Sequence, residues 1–190
     1  MEAEEYISEQ KKLLRREMRA KAASFAEESC DSMVLALPEW KEAGTILMYS
    51  AIPGEISLHR LMDLALQEGK KVVLPLAVPS DGDGSVLILK EYAPGKLVLG
   101  YKGIPEPSAD APEVAPSQID FALIPGLAFD SECRRLGRGK GFYDRTLPLL
   151  SCPCAGISHS WQLVETVPHD EWDMALDLIV LPDRVIRCQR

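Results

Sequence analysis

The runs FALI at 121–124 and LIVL at 178–181 are apolar at every position. A strand with one face in water would carry a polar residue at every second place, so these segments read as strands buried on both sides. That is the pattern of a mostly parallel sheet covered by helices. The segment upstream agrees. TILMYS at 45–50 reads as a strand, AIPGE at 51–55 as a turn, Ser57 to about Glu68 as a helix stopped by Gly69, and KVVLPLA at 71–77 as the next strand. A β-α-β unit of this kind implies a right-handed crossover between parallel strands. Further strands are expected at 85–92, 119–125, 154–160 and 177–182. Two helices precede the first strand. One runs over 8–23 with Leu14, Met18 and Ala22 on one face. The other opens on a capping box, Ser24 with Glu27, and runs to Leu37 before Pro38. The stretch 93–117 reads as a long loop, since 103–117 alone holds four prolines. The expected fold is therefore α/β: a three-layer α/β/α arrangement around a mostly parallel twisted sheet, with N-terminal helices before the first strand. At 190 residues the chain is expected to be one domain, 1–190.

Composition removes several functions. A formal net charge of −8 argues against broad nucleic-acid binding, which depends on neutralising many phosphates. No apolar run approaches the roughly 20 residues of a membrane span. The N-terminal MEAEEYISEQ lacks the charged-then-apolar pattern of a secretory signal, so a cytoplasmic protein with no membrane partner is expected. Cys30, Cys133, Cys152, Cys154 and Cys188 are odd in number and irregular in spacing, which suits a reducing compartment better than a disulfide framework. Cys152 and Cys154 have no second pair at zinc-ligand spacing, and His59, His159 and His169 form no triad.

One stretch concentrates positive charge against that acidic background: RRLGRGKGFYDR at 134–145. It fails the Walker pattern, because no glycine stands at the required place before Gly139–Lys140 and Gly141 occupies the place where Ser or Thr is needed. It also fails the dinucleotide fingerprint. Counting from Gly137 the last glycine slot falls on Phe142, and counting from Gly139 it falls on Asp144. What remains is glycine at 137, 139 and 141, a spacing that lets backbone amides turn toward an anion. Arg134, Arg135, Arg138, Lys140 and Arg145 surround it with donors suited to phosphate oxygens. Asp144 would repel a polyphosphate unless a cation stood between them, which makes it a natural magnesium ligand. From spacing alone, a solvated glycine-rich surface turn remains the alternative.

Taken together, IPGLAFD at 124–130 and RLGRGKGFYD at 135–144 resemble the signature of the 5-formyltetrahydrofolate cyclo-ligase (5,10-methenyltetrahydrofolate synthetase) family. KKLLR at 11–15, Gly54–Glu55, GIPEP at 103–107 and DMALDLIVLP at 173–182 extend the resemblance along nearly the whole chain. It implies an α/β enzyme that uses ATP and magnesium to convert 5-formyltetrahydrofolate to 5,10-methenyltetrahydrofolate, releasing ADP and phosphate. By the same resemblance, Lys11, Arg15, Arg135, Leu136, Gly137, Arg138, Gly139, Lys140, Gly141, Phe142 and Tyr143 hold ATP. Within that set, Arg138 and Lys140 act on the transferred phosphoryl group. Glu55, Tyr101 and the segment Arg138 to Phe142 (Arg138, Gly139, Lys140, Gly141, Phe142) meet the folate. Asp144 and Asp173 take the metal, with Asp170 and Asp177 competing for the second place. The chain departs from the pattern at Phe142, where tyrosine is common. The expected partner is a reduced folate bound by a monomer. Two rivals stand beside this reading: a non-catalytic nucleotide- or folate-binding regulator of the same family, and a sugar-phosphate isomerase or CoA-transferase-like enzyme on a similar scaffold.

Overall fold

The structure, a computed structural model, describes residues 2–80 and 84–188. Its centre is a seven-stranded sheet. In chain order the strands are β1 (Thr45–Leu47), β2 (Lys71–Val78), β3 (Val86–Glu91), β6 (Phe121–Ile124), β9 (Cys154–Ile157), β10 (Leu178–Val180) and β11 (Val185–Arg187). The numbers between them belong to two small hairpins, β4 (Leu97–Leu99) with β5 (Pro105–Pro107) and β7 (Ala128–Phe129) with β8 (Arg135–Leu136). The spatial order is β11-β10-β9-β6-β1-β2-β3. The five inner strands are parallel to one another, and β3 and β11 close the two edges antiparallel.

The all-apolar runs do what their sequence demands. In β6 and β10 every residue is buried, and alternate side chains enter opposite cores. Ile46, Val72, Phe121, Leu123, Leu178 and Val180 face a core built with α2 (Asp31–Ala36), α3 (Pro38–Glu42) and α4 (His59–Gln67) through Val34, Trp40 and Leu61. Leu47, Val73, Ala122, Ile124 and Ile179 face a second core. That one is covered by α5 (Phe142–Thr146), the 3₁₀ turn Leu147–Leu149 and the loop residues Val114 and Ile119. The expected α/β/α layering therefore stands, with one helical layer thick and the other thin. Each large side chain buried this way contributes about 1.5–3 kcal/mol. A third, smaller core lies beneath α1 (Glu2–Ala22), where Met18 and Leu14 pack on Leu127, Ala128, Leu136 and Val167.

Four expectations need correction. Ser24 and Glu27 cap no helix, and α2 begins only at Asp31. Tertiary contacts win over the local signal: Glu28 accepts from Ser160 N and Ser160 Oγ, both at 2.7 Å, while Phe25 stacks on Trp161. Pro38 then separates α2 from α3, because it forces Leu37 to extended backbone (ψ 136°) and starts a helix of its own. The 93–117 stretch is not wholly a loop, since it folds into the β4–β5 hairpin. Finally, Cys133 and Cys188 are joined in a disulfide, where the odd count and irregular spacing of the cysteines suited a reducing compartment better than a disulfide framework. Both cysteines dock on the entry to β10: Leu176 N donates to Cys133 O and Cys188 N to Asp177 O, each at 2.9 Å. That meeting depends on β11 folding back, which no cysteine spacing reveals. Cys30, Cys152 and Cys154 are buried and stand outside that disulfide.

Candidate active site at the switch point of the sheet

From β1 the chain first adds β2 on one side, and it later adds β6 on the other. The crossover direction reverses there, which opens a crevice beyond the carboxyl ends of β1 and β6. A cavity of about 580 Å³ occupies that crevice. Tyr49 and Ser50 after β1 line it, as do Pro125 and Gly126 after β6.

The basic glycine loop forms one wall of the cavity. Gly139 (φ +96°) and Gly141 (φ +67°) adopt left-handed backbone that other residues rarely tolerate. Three arginines grip the loop by its carbonyls: Arg15 Nε donates to Gly137 O (2.9 Å), Arg19 Nη2 to Arg138 O (3.3 Å) and Arg145 Nη2 to Lys140 O (2.6 Å). Among the described residues, the amides of 137–141 find no protein acceptor. With carbonyls held and amides unused, the loop presents a donor surface suited to an anion. Arg135 adds to it. Its side chain is almost fully buried and pairs with Asp144, its guanidinium stacks over the Tyr143 ring at 5.6 Å, and its Nε has no partner.

Among the described residues, three carboxylates line the cavity: Glu55, Glu106 and Asp144. Glu55 is only 7% exposed and accepts from Arg138 Nε at 3.0 Å and from Ile52 N at 3.2 Å. Burial pushes its carboxyl above the usual range, against the opposing pull of Arg138. Glu106, on β5, is likewise pushed up by burial, and its bonds come from the backbone N–H groups of Tyr101 and Ala77. The Tyr143 phenol is raised by burial and by Glu55, so it stays protonated. The rim is aromatic, with Tyr101 meeting Phe142 edge to face at 5.9 Å between ring centres.

The expected site residues thus separate into groups. Glu55, Tyr101, Arg135, Gly137, Arg138, Gly139, Lys140, Gly141, Phe142, Tyr143 and Asp144 share the cavity wall. Arg15 lies behind the loop, with its guanidinium on Gly137 and against Gly139. Leu136 is 1% exposed and belongs to the core under α1. Lys11 and Asp173 meet each other rather than the cavity wall. Lys11 also bonds Asp170 (2.8 Å), and although burial opposes its charge, the two carboxylates raise its proton affinity. Asp170 is held below the usual carboxylate range by that bond. Asp177 is occupied by Cys154 N (2.7 Å) at the start of β10. Sequence reasoning missed Tyr49, Arg19, Lys102 and Glu106 as cavity residues. Arg19 was findable, being four residues beyond Arg15 on the same helix face. Glu106 lies within GIPEP at 103–107, a stretch whose order along the chain says nothing of which side chain turns inward.

Fold and cavity together define a class: an α/β protein with an anion-binding loop and a buried carboxylate facing one crevice. Comparison with known proteins narrows it. The profile of the 5-formyltetrahydrofolate cyclo-ligase family matches residues 2–182, and the chain belongs to that family. The Escherichia coli K12 5-formyltetrahydrofolate cyclo-ligase is 35% identical over 156 residues, covering 80% of this chain and 85% of that one. A probable 5-formyltetrahydrofolate cyclo-ligase of Schizosaccharomyces pombe is 29% identical over 95% of this chain and 99% of its own length. The solved structure of Aquifex aeolicus 5,10-methenyltetrahydrofolate synthetase superposes with a TM-score of 0.80 at 32% identity, covering 95% of this chain and 93% of that one. No helix among the described residues is long and apolar enough to cross a membrane.

Proposed function

We propose that this chain uses ATP and magnesium to close 5-formyltetrahydrofolate to 5,10-methenyltetrahydrofolate, releasing ADP and phosphate. The observation that carries the proposal is what lines one cavity: loop amides with no protein acceptor beside Arg135, Arg138 and Lys140, groups suited to an anionic ligand, and the buried Glu55 with the Tyr101–Phe142 pair, groups suited to a flat ring with N–H donors. The formyl oxygen is a poor leaving group. Its phosphorylation activates the carbon, N10 attacks that carbon and loses its proton, and phosphate departs as the five-membered ring closes.

The protein's part is positioning and charge neutralisation. The amides of 137–141 cradle the phosphates, while Arg138 and Lys140 offset the charge that moves with the phosphoryl group. Arg15, through Gly137, fixes the loop, with Lys11 behind it on the same helix. Glu55 accepts the pterin donors, and Tyr101 and Phe142 border the ring. Phe142 retains the stacking face but lacks the phenol of a tyrosine. The donor set suits magnesium. No group of three or more His, Cys, Asp or Glu side chains could hold a metal among the described residues, and magnesium is commonly held by one or two carboxylates plus phosphate oxygens and water. Of the cavity carboxylates, Asp144 is the one that directly follows the glycine loop, and Asp173, paired with Lys11 outside the wall, is the second candidate. The ion would supply electrostatic shielding of the transferring phosphoryl group. A monomer of one domain, 1–190, suffices, since one chain supplies every group named.

The test is absorbance of methenyltetrahydrofolate formed from 5-formyltetrahydrofolate, with and without ATP and magnesium. Product that depends on both is expected. Absence of ATP-dependent product removes the reading.

A further inference from the structure

We infer that Glu106 is a positioning residue for the folate end of the cavity, holding the tip of the β4–β5 hairpin so that Tyr101 stands against Phe142. The inference rests on the proposed folate reading, and it gives a role to a carboxylate outside the expected site set.

The hairpin tip is held by its own backbone bonds and by this side chain. Its turn is closed by Gly100 N to Ile104 O (2.9 Å) and Gly103 N to Gly100 O (3.1 Å), and Lys102 sits in left-handed backbone at φ +56°. Beneath the turn lies the Glu106 carboxylate, in a residue only 4% exposed. Its Oε2 accepts from Tyr101 N at 3.4 Å, and the Ala77 N–H on β2 supplies a second bond. One side chain thus ties the tip to the central sheet. The carboxylate also packs directly on Gly100, where an added Cβ would lie 2.0 Å from Oε2. The buried acid therefore leaves no room for a side chain at position 100. Prolines at 105 and 107 stiffen the strand on both sides of Glu106. Of the three carboxylates in the cavity, Glu55 and Asp144 each pair with an arginine, and the bonds to Glu106 come from backbone groups alone. Its work is structural support of a specific wall, delivered through Tyr101.

Calorimetric binding of 5-formyltetrahydrofolate and, separately, of ATP with magnesium tests this on three variants of the full chain. Glu106→Ala is expected to weaken folate binding about tenfold, the scale of losing an acceptor for buried N–H groups. Glu106→Gln keeps an oxygen acceptor and is expected to stay within about threefold of the parent. Gly100→Ala, which leaves Glu106 in place but displaces its carboxylate, is expected to match Glu106→Ala. Combined with Glu106→Ala it should add little further loss. In all of them ATP binding is expected to stay within about twofold. Parent-like folate binding in Glu106→Ala and Gly100→Ala overturns the inference. So does a Gln variant as weak as Ala, which would mean the charge itself meets the ligand, or an equal loss for ATP, which would mean general unfolding. Should Glu106→Ala fail to fold, Gly100→Ala and Glu106→Gln decide alone. A parent protein that turns over folate while these outcomes fail leaves the proposed activity standing and removes only the role of Glu106.

Discussion

Glu55 is pulled in two directions, since burial favours its neutral carboxyl and the Arg138 guanidinium favours its carboxylate. Burial wins, so the folded-state carboxyl titrates above the unfolded one. For an acid shifted upward, the unfolded chain releases its proton first. Stability is then fully present below the unfolded value and falls as pH rises through the folded one. Glu55→Gln is accordingly expected to raise stability at pH 7 while weakening folate binding, as a residue kept for binding at some cost to stability would. Arg138 tolerates the change because it is one-third exposed and water replaces the lost partner. Urea unfolding at pH 7 and pH 4 checks it: the gain should shrink at the lower pH, where Glu55 itself becomes protonated. A gain that persists unchanged at pH 4 would assign the effect to packing instead. Glu55 was expected at the site through the family resemblance alone, and its burial and its pairing with Arg138, 83 residues further along the chain, could not be read locally.

At the scale of the element, α1 is both a packing unit and the anchor of the glycine loop. Its apolar face, Leu14 and Met18, sits on the β7–β8 hairpin that leads into the loop, while Arg15 and Arg19 from the same turns hold loop carbonyls. Met18→Ala should therefore do two things. The cavity left at a fully buried site costs about 2–5 kcal/mol of stability. The loosened helix should weaken ATP binding about tenfold and leave folate binding within about twofold. Titration calorimetry with each ligand separates the outcomes, and equal losses would show that α1 supports the whole cavity rather than the anion end. The helical period of Leu14 and Met18 was legible because an amphipathic face repeats within a few residues. The Ser24–Glu27 capping signal failed because Glu28 and Phe25, its neighbours, are claimed by Ser160 and Trp161. Those partners arrive more than 130 residues later, and a local propensity of about a kcal/mol gives way to them.

For the whole molecule, the switch between β1 and β6 explains how residues distant in sequence share one crevice: the topology brings Glu55, the β4–β5 hairpin and the loop after β8 together there. The parallel core was legible from its all-apolar strands. The antiparallel edge β11 and the Cys133–Cys188 link were not, since a three-residue edge strand carries almost no periodicity. That link joins positions 55 residues apart and ties the end of the chain to the segment just before the glycine loop. In the chain-entropy view, closing a loop of that length stabilises the fold by about 4 kcal/mol. Reduction of the protein is thus expected to lower its denaturant midpoint markedly, and Cys188→Ser should show the same loss with no further response to reductant. Turnover by the folded protein at 25 °C should be unaffected, because neither cysteine lines the cavity. Identical midpoints with and without reductant would show that the bond contributes nothing to the fold. Loss of turnover in reduced but folded protein would instead show that the tether sets the position of the loop that begins at Arg134.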